Sequence, residues 1–192
     1  MTNVLLMKVR YEYPPFFRSV VADARVNLRY RSEGEFKNKF HGAMHIFRLM
    51  WVADAFFAQV CYRARCRLIR FRVPLIPTIL HRICMSHSQV CIGKPVIIQP
   101  GMYIAHGQVV IDGFVKIDSG VVLLPWVTIG LKAGNFQGAT IEKNVHVGTG
   151  AKIIGPVTLG NGCKIGANSV IVKNVPRGAI VAGVPGEILK RK

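Results

Sequence analysis

His106 is the residue of this chain whose type and surroundings best allow chemistry. It lies in the segment Ala105-His106-Gly107-Gln108, where a regular spacing of apolar residues is lengthened by one residue. An extra residue in a strand forms a bulge and re-aims a side chain. We therefore expect His106 to point out of the fold. An imidazole titrates near neutral pH, so a histidine placed in this way can exchange protons with a bound molecule.

A second interruption of the spacing brings polar side chains together on a predicted loop. Residues 131–138 fall within a twelve-residue step of the apolar pattern and contain no Val/Ile pair. We predict that this segment is extruded from the regular structure, and such insertions often carry function in repetitive folds. Lys132, Asn135 and Gln137 are its candidates for contact with a substrate.

The elements that must position these segments follow a six-residue repeat. Pairs of apolar or small residues, two positions apart, recur with a turn-forming residue after many of them. Residues two apart in a strand point to the same face. No helix has a period of six, so the repeat predicts a β-helix, a solenoid of stacked coils. The pairs are Val109/Ile111, Val115/Ile117, Val121/Leu123, Val127/Ile129, Val145/Val147, Ala151/Ile153, Val157/Leu159, Cys163/Ile165 and Ser169/Ile171.

Residues 1–89 lack this repeat and are predicted to form a basic, mostly α-helical N-terminal region. Helices are expected over residues 16–31, 37–72 and about 78–85. The apolar stretch within residues 49–60 is shorter than the ~20 residues of a membrane span and contains Asp54. The region is interpreted as a cap on the open solenoid end, as a surface that rests on anionic lipid, or as both.

The charge balance favours anionic partners. The chain has 26 basic and 9 acidic residues, a net charge of +17. Residues before 90 carry 15 of the basic and 5 of the acidic groups, so both parts are basic. Nucleotides, phosphoglycans and anionic lipid fit such a field. Nucleic acid is disfavoured because no groove-reading motif is present.

The cysteines argue against a disulfide framework and a zinc site. There are five, without a CxxC pair or a histidine-spaced cluster, so we expect no metal and a reducing, cytoplasmic environment. Cys163 occupies an inward repeat position and is expected to pack in the core. The first residues carry early charges and no cleavable apolar stretch, which argues against a signal peptide.

Residues 90–188 resemble the hexapeptide-repeat acyltransferases, and among them the serine acetyltransferases and the related polysaccharide O-acetyltransferases. The resemblance implies a left-handed parallel β-helix with three hexads per turn that assembles as a homotrimer, over residues 90–192 with a C-terminal tail. It rests on Val127-Thr128-Ile129-Gly130, on Val147-Gly148-Thr149-Gly150-Ala151-Lys152-Ile153-Ile154-Gly155-Pro156-Val157, on Cys163-Lys164-Ile165-Gly166-Ala167-Asn168-Ser169-Val170-Ile171-Val172, and on Val175-Pro176-Arg177-Gly178 followed by Ala182-Gly183-Val184-Pro185-Gly186.

The same resemblance implies a site for acetyl-CoA in the groove between adjacent subunits. His106, within Ile104-Ala105-His106-Gly107, matches the family's general base, which takes the proton of the acceptor hydroxyl. Main-chain amides near Gly130 or in the following loop are candidates for the oxyanion site. His146 is a further substrate candidate that faces an interface or solvent. Gly148, Thr149, Gly166 and Ala167 match the pantetheine groove, Lys164 matches a lysine near CoA, and Arg177, Lys190, Arg191 and Lys192 are candidates for the 3′-phosphate.

Three departures from the serine acetyltransferase pattern concern the acceptor. Gly138 stands where that family has a second histidine, Ala105 replaces a carboxylate, and residues 85–88 replace an Asp-x-His-Pro opening. We therefore predict an acetyl-CoA-dependent O-acetyltransferase that acts on a sugar hydroxyl in polysaccharide or glycan-precursor biosynthesis. It is expected in the cytoplasm, with peripheral contact to the inner membrane face. The alternatives are a serine O-acetyltransferase of cysteine biosynthesis and a non-catalytic β-helix scaffold.

Overall fold

The computed structural model describes residues 13–190, in which four helices precede a stack of short strands. The helices are α1 (Phe16–Tyr30), α2 (Lys39–Val52), α3 (Asp54–Arg70) and α4 (Ile76–Ser88). The strands are β1 (Val90–Ile92), β2 (Ile97–Ile98), β3 (Tyr103–Ile104), β4 (Val109–Ile111), β5 (Phe114–Ile117), β6 (Val122–Leu123), β7 (Thr128–Gly130), β8 (Gln137–Ile141), β9 (His146–Val147), β10 (Lys152–Ile154), β11 (Thr158–Leu159), β12 (Lys164–Ile165), β13 (Val170–Ile171), β14 (Ile180–Ala182) and β15 (Glu187–Lys190).

The strands form three sheets that the chain visits in rotation. Sheet A is β1-β4-β7-β10-β13, sheet B is β2-β5-β8-β11, and sheet C is β3-β6-β9-β12-β14-β15. Every pairing is parallel except that of β14 with β15. Each strand thus pairs with its counterpart one coil later, over about five coils. This arrangement confirms the predicted β-helix preceded by a helical region.

Alternate residues of each strand fill the interior of the coils. Val109 and Ile111 are fully buried, whereas Val110 between them is 40% exposed. The period of two follows from the pleat of an extended strand. Cys163 is also fully buried, as expected, and burial raises the pKa of its thiol to about 11. The core is therefore built from the two inward positions of each hexad.

The strand register accounts for both interruptions of the repeat. Ile153 pairs with Ile171, 18 residues later, which is three hexads. The offset is 19 where β1 pairs with β4, and 24 where β7 pairs with β10. One extra residue enters at the His106 segment and six enter after β7. The predicted extruded loop 131–138 is corrected to residues 131–136, because Gln137 and Gly138 already belong to β8.

Helix α3 covers the open end of the first coil. The Tyr62 hydroxyl donates to the Val96 carbonyl at 2.8 Å, and the Gln59 side chain donates to Met102 at 2.8 Å. These bonds satisfy backbone carbonyls that have no further coil to pair with. Apolar residues of α3 join the solenoid core directly.

One predicted helix is divided in the structure. The segment predicted as a single helix over residues 37–72 forms α2 and α3, separated at Ala53, whose backbone is extended (φ −127°, ψ 94°). Asp54 then begins α3, where a negative charge favours the helix N-terminus. Among the described helices, none combines the length and apolar character that a membrane crossing requires.

Candidate functional site

Five of the predicted site residues lie along one edge of the solenoid. We call the corner at which the chain passes from sheet C to sheet A the C–A edge. Its residues are 105–108, 124–126, 148–150 and 166–168, in coils one to four. Backbone bonds join neighbouring coils there, such as Gly150 N to Pro125 O at 2.9 Å and Asn168 N to Thr149 O at 2.8 Å. His106, Gly148, Thr149, Gly166 and Ala167 all belong to this edge.

His106 lies at the end of this edge that is nearest the helices. The residue follows β3, its side chain is exposed, and the backbone then turns through Gln108 at φ 63°. A side chain at Gly107 would come within 2.0 Å of the Ser88 carbonyl oxygen at the end of α4. The corner is therefore pressed against α4, and this packing leaves the imidazole directed away from the interior.

In the next part of the edge, two glycines allow neighbouring coils to approach each other closely. A Cβ on Gly148 would lie 2.7 Å from both Ala167 N and Ile165 O, and one on Gly166 would lie 2.8 Å from the Ala182 Cβ. Both glycines are thus required by the close stacking of coils. Thr149 and Ala167, which follow them, are exposed. Since coils are about 4.8 Å apart, this surface extends for about 14 Å from His106 to Ala167.

Trp126 occupies the same edge between His106 and Thr149, and it was not singled out from the sequence. Its side chain is 56% exposed, and its backbone is left-handed (φ 67°). The equivalent corners hold Gln108, Gly150 and Asn168, also at positive φ. A bulky residue is an outlier in this conformation, and such outliers cluster at functional sites. The sequence signal was a tryptophan in the turn position of its hexad.

The outer face of sheet C places His146 beside Lys164. The two residues pair directly in neighbouring strands, β9 and β12. Burial, and then the charge of Lys164, lowers the pKa of His146. The imidazole is therefore neutral at physiological pH, and Lys164 is the exposed cation of the pair. Because Gly166 is two residues after Lys164, this cation stands next to the C–A edge.

The remaining predicted site residues lie on other edges of the same chain. Gly130 and the loop with Lys132 and Asn135 lie at the corner between sheets A and B, the A–B edge. Asn135 accepts a bond from Gln137 N at 2.9 Å, and Gln137 begins β8. Arg177 is exposed at the corner between sheets B and C, where its backbone N approaches Gly160. Arg191 and Lys192 lie outside the described residues, as does the side chain of Lys190.

Within a single chain, the candidate base and the polar loop therefore lie on different edges of the solenoid. The C–A edge combines an exposed imidazole, an aromatic ring and a narrow track of small residues with a nearby lysine. Such a surface suits an extended ligand with an anionic group. Within residues 13–190, no group of three or more His, Cys, Asp or Glu side chains is placed to hold a metal ion.

The sequence was compared with protein families and with known proteins, and both comparisons found matches. Residues 138–173 match the bacterial transferase hexapeptide family (six repeats). A serine acetyltransferase of Helicobacter pylori (strain ATCC 700392 / 26695) is 33% identical over 130 residues, which are 66% of this chain and 75% of that protein. The chain belongs to the serine acetyltransferase family. This membership confirms the resemblance found in the sequence.

Two further members of the serine acetyltransferase family show how far the likeness extends. The serine acetyltransferase of Synechococcus elongatus is 34% identical over 139 residues, which are 71% of this chain and 57% of the relative. The chain thus spans little more than half of that relative's length. A solved serine acetyltransferase in complex with CoA has a TM-score of 0.73 at 26% identity, over 91% of this chain and 69% of that one.

Proposed function

We propose that this protein is an acetyl-CoA-dependent O-acetyltransferase with His106 as its general base. The observation that carries the proposal is the placement of an exposed imidazole on the same edge as Gly148, Thr149, Gly166 and Ala167, which we call the glycine track. His106 takes the proton of an acceptor hydroxyl while the oxygen attacks the thioester carbonyl carbon. The carbon–sulfur bond then breaks, and the CoA thiolate recovers a proton as the acetyl ester is released. The likeness to a CoA complex supports this donor.

We propose L-serine as the first acceptor to test. The curated relatives described above are serine acetyltransferases, which supports the serine alternative better than the sugar hydroxyl that we expected from the sequence. Serine transfer belongs to cysteine biosynthesis. The comparisons give no support to a role in polysaccharide biosynthesis.

A sugar hydroxyl remains the second candidate because of one feature of β8. A Cβ on Gly138 would lie 2.4 Å from the Val115 Cγ2 atom, so the structure has no room for a histidine there. Gly138 is the position that matches the family's second histidine. Ala105, beside the candidate base, likewise carries no carboxylate. The exposed ring of Trp126 offers an aromatic surface on which a sugar can stack.

The site is further proposed to form between the subunits of a homotrimer. His106 and Trp126 lie on the C–A edge, whereas Lys132 and Asn135 lie on the A–B edge of the same chain. Two corners of one triangular coil face different directions. A neighbouring copy is the simplest means of bringing the loop to the base, and sedimentation velocity would measure the assembly.

The decisive experiment is thiol release from acetyl-CoA by wild type and His106→Ala, with L-serine and a panel of sugars as acceptors. If wild type releases thiol with serine and the rate is about 100-fold or more lower in the variant, the result supports serine transfer. Release with a sugar alone supports the second candidate. Absence of both release and acetyl-CoA binding would leave the non-catalytic scaffold. Binding without turnover would call for a wider acceptor panel.

Membrane contact is proposed separately for helix α2, in a cytoplasmic protein. Phe40, Met44, Phe47 and Trp51 form one face of this helix and are 58–86% exposed. Apolar side chains of this kind insert between headgroups while basic residues contact the anionic surface. Sedimentation with anionic vesicles, reduced in Phe47→Ser but retained in Phe71→Ser, would support it. Phe71 is similarly exposed but follows α3 and is not part of α2, and equal loss in both variants would contradict the assignment.

A further inference from the structure

A cavity of about 540 Å³ opens between the end of α3, the start of α4 and the turn after β1. Its volume lies within the roughly 300–1,000 Å³ range of small-molecule sites. The β1 turn lies on the A–B edge of the first coil, two coils away from the loop with Lys132 and Asn135, and His106 lies on the C–A edge. Three cationic side chains line it: Arg65, Arg72 and Lys94.

The deepest of these cations is incompletely satisfied. Arg65 is 6% exposed, and one of its terminal nitrogens donates to the Ile92 and Gly93 carbonyls at 2.6 and 3.0 Å. The other terminal nitrogen lies 2.7 Å from His81 Nδ1. Its Nε is buried without a hydrogen-bond partner among residues 13–190. A buried guanidinium held by neutral groups alone favours an anion nearby.

The surrounding groups leave the cavity positively charged. No ion pair between described residues involves Arg65, Arg72 or Lys94. Burial and the charge of Arg65 lower the pKa of His81, so its ring accepts a bond from Arg65 as a neutral group. Asp112 is the carboxylate that acts on His81, and its Oδ1 accepts a bond from Gly113 N at 2.8 Å.

The rest of the lining is largely apolar. Ile69, Val73 and Pro77 form part of the wall, and Pro77 is buried. Arginine and lysine together suit the several oxygens of a phosphate group, and an apolar wall suits the body that carries it. We propose that this cavity binds an organic phosphate, a phosphate ester with an apolar body, outside the acetyl-transfer site. This assignment does not depend on the proposed function.

The test is calorimetric titration with phenyl phosphate at constant ionic strength. The double variant Arg72→Gln/Lys94→Gln removes two exposed cations that line the cavity. The control Arg70→Gln/Arg82→Gln removes two exposed cations, one on α3 and one on α4, that do not line it. We expect wild type and the control to bind equally, and the cavity variant to bind about tenfold or more weakly. Inorganic phosphate should bind more weakly than phenyl phosphate.

Two results would overturn the assignment. Equal affinity in all three proteins would show that binding follows net charge alone. Displacement of phenyl phosphate by saturating acetyl-CoA would place it in the donor site instead. Given specific binding of phenyl phosphate, vesicles containing phosphatidic acid identify its natural source: sedimentation lost only in the cavity variant indicates a lipid headgroup, and no sedimentation indicates a soluble ester.

Discussion

The substitution Asp23→Ala should destabilise this protein severely, because it would leave the buried Arg63 without an ion-pair partner and two backbone amides without an acceptor. Asp23 is 1% exposed and accepts bonds from Arg63 Nε at 2.9 Å and Nη2 at 3.2 Å. The same carboxylate accepts from Gly101 N at 2.8 Å and Met102 N at 3.2 Å. It therefore connects α1 and α3 to the segment that leads into β3 and the His106 corner.

The expected loss follows from the burial of the pair. Removing one partner of a buried ion pair costs about 3–5 kcal/mol, since the other charge remains buried alone. For a chain of this size, each 1 kcal/mol shifts Tm by about 2–4 °C, so we expect Tm to fall by roughly 6–20 °C. Urea unfolding followed by circular dichroism would measure the change in the free energy of unfolding.

A matched carboxylate provides the control. Glu33 pairs with Arg31 at 2.9 Å and Arg48 at 2.6 Å near the surface, and Glu33→Ala should cost only about 0–1 kcal/mol. The double variant Asp23→Ala/Arg63→Met should recover part of the loss because no lone charge remains. If Asp23→Ala cost no more than Glu33→Ala, the reasoning from burial would be refuted.

Three further predictions concern the ligand and pH. Acetyl-CoA should change the tryptophan fluorescence of Trp51→Phe but not of Trp126→Phe, because Trp126 lies on the C–A edge; a response that depends on Trp51 would contradict this placement. Burial lowers the pKa of His81 and His146, so the unfolded chain takes up protons first as pH falls below 6.5. The free energy of unfolding should therefore decrease as pH falls from about 6.5 through the lowered pKa values of the two histidines. The urea midpoint should fall less over this range when both residues are replaced by Gln, and an equal fall would refute the assignment. Steady-state kinetics of Lys164→Ala should show a KM for acetyl-CoA raised a few-fold with kcat unchanged, whereas Lys173→Ala should match wild type; equal effects would contradict a local role.

The coils could be predicted from the sequence because their spacing is governed by local geometry. An inward pair in each hexad must remain buried, so one additional residue at His106 and six after β7 had to appear as outward irregularities. The corner glycines could also be predicted, because they recur with the same spacing as the coils. Gly148 and Gly166 recur 18 residues apart, and both are required by close contact with the next coil.

Contacts between distant segments could not be predicted in this way. Asp23 and Arg63 are separated by 40 positions, and neither stands out within a strongly basic region. The division at Ala53 separates α2 from α3, and the apolar periodicity of residues 37–72 does not indicate it. Trp126 differs again, since its significance appears only when its turn position is compared with those of Gln108 and Asn168.

The similarity to serine acetyltransferases and the departures from their acceptor-site pattern concern different parts of the molecule. Identity with serine acetyltransferases is spread over 130 to 139 residues, and the hexapeptide match covers residues 138–173. That stretch contains the glycine track, so the likeness bears most directly on the donor. Gly138 lies at its start, in a strand whose packing against Val115 excludes a larger side chain. A serine acceptor would therefore need another group in place of the missing histidine, and in the proposed homotrimer that group would come from the exposed loop of a neighbouring copy, with Lys132 and Asn135.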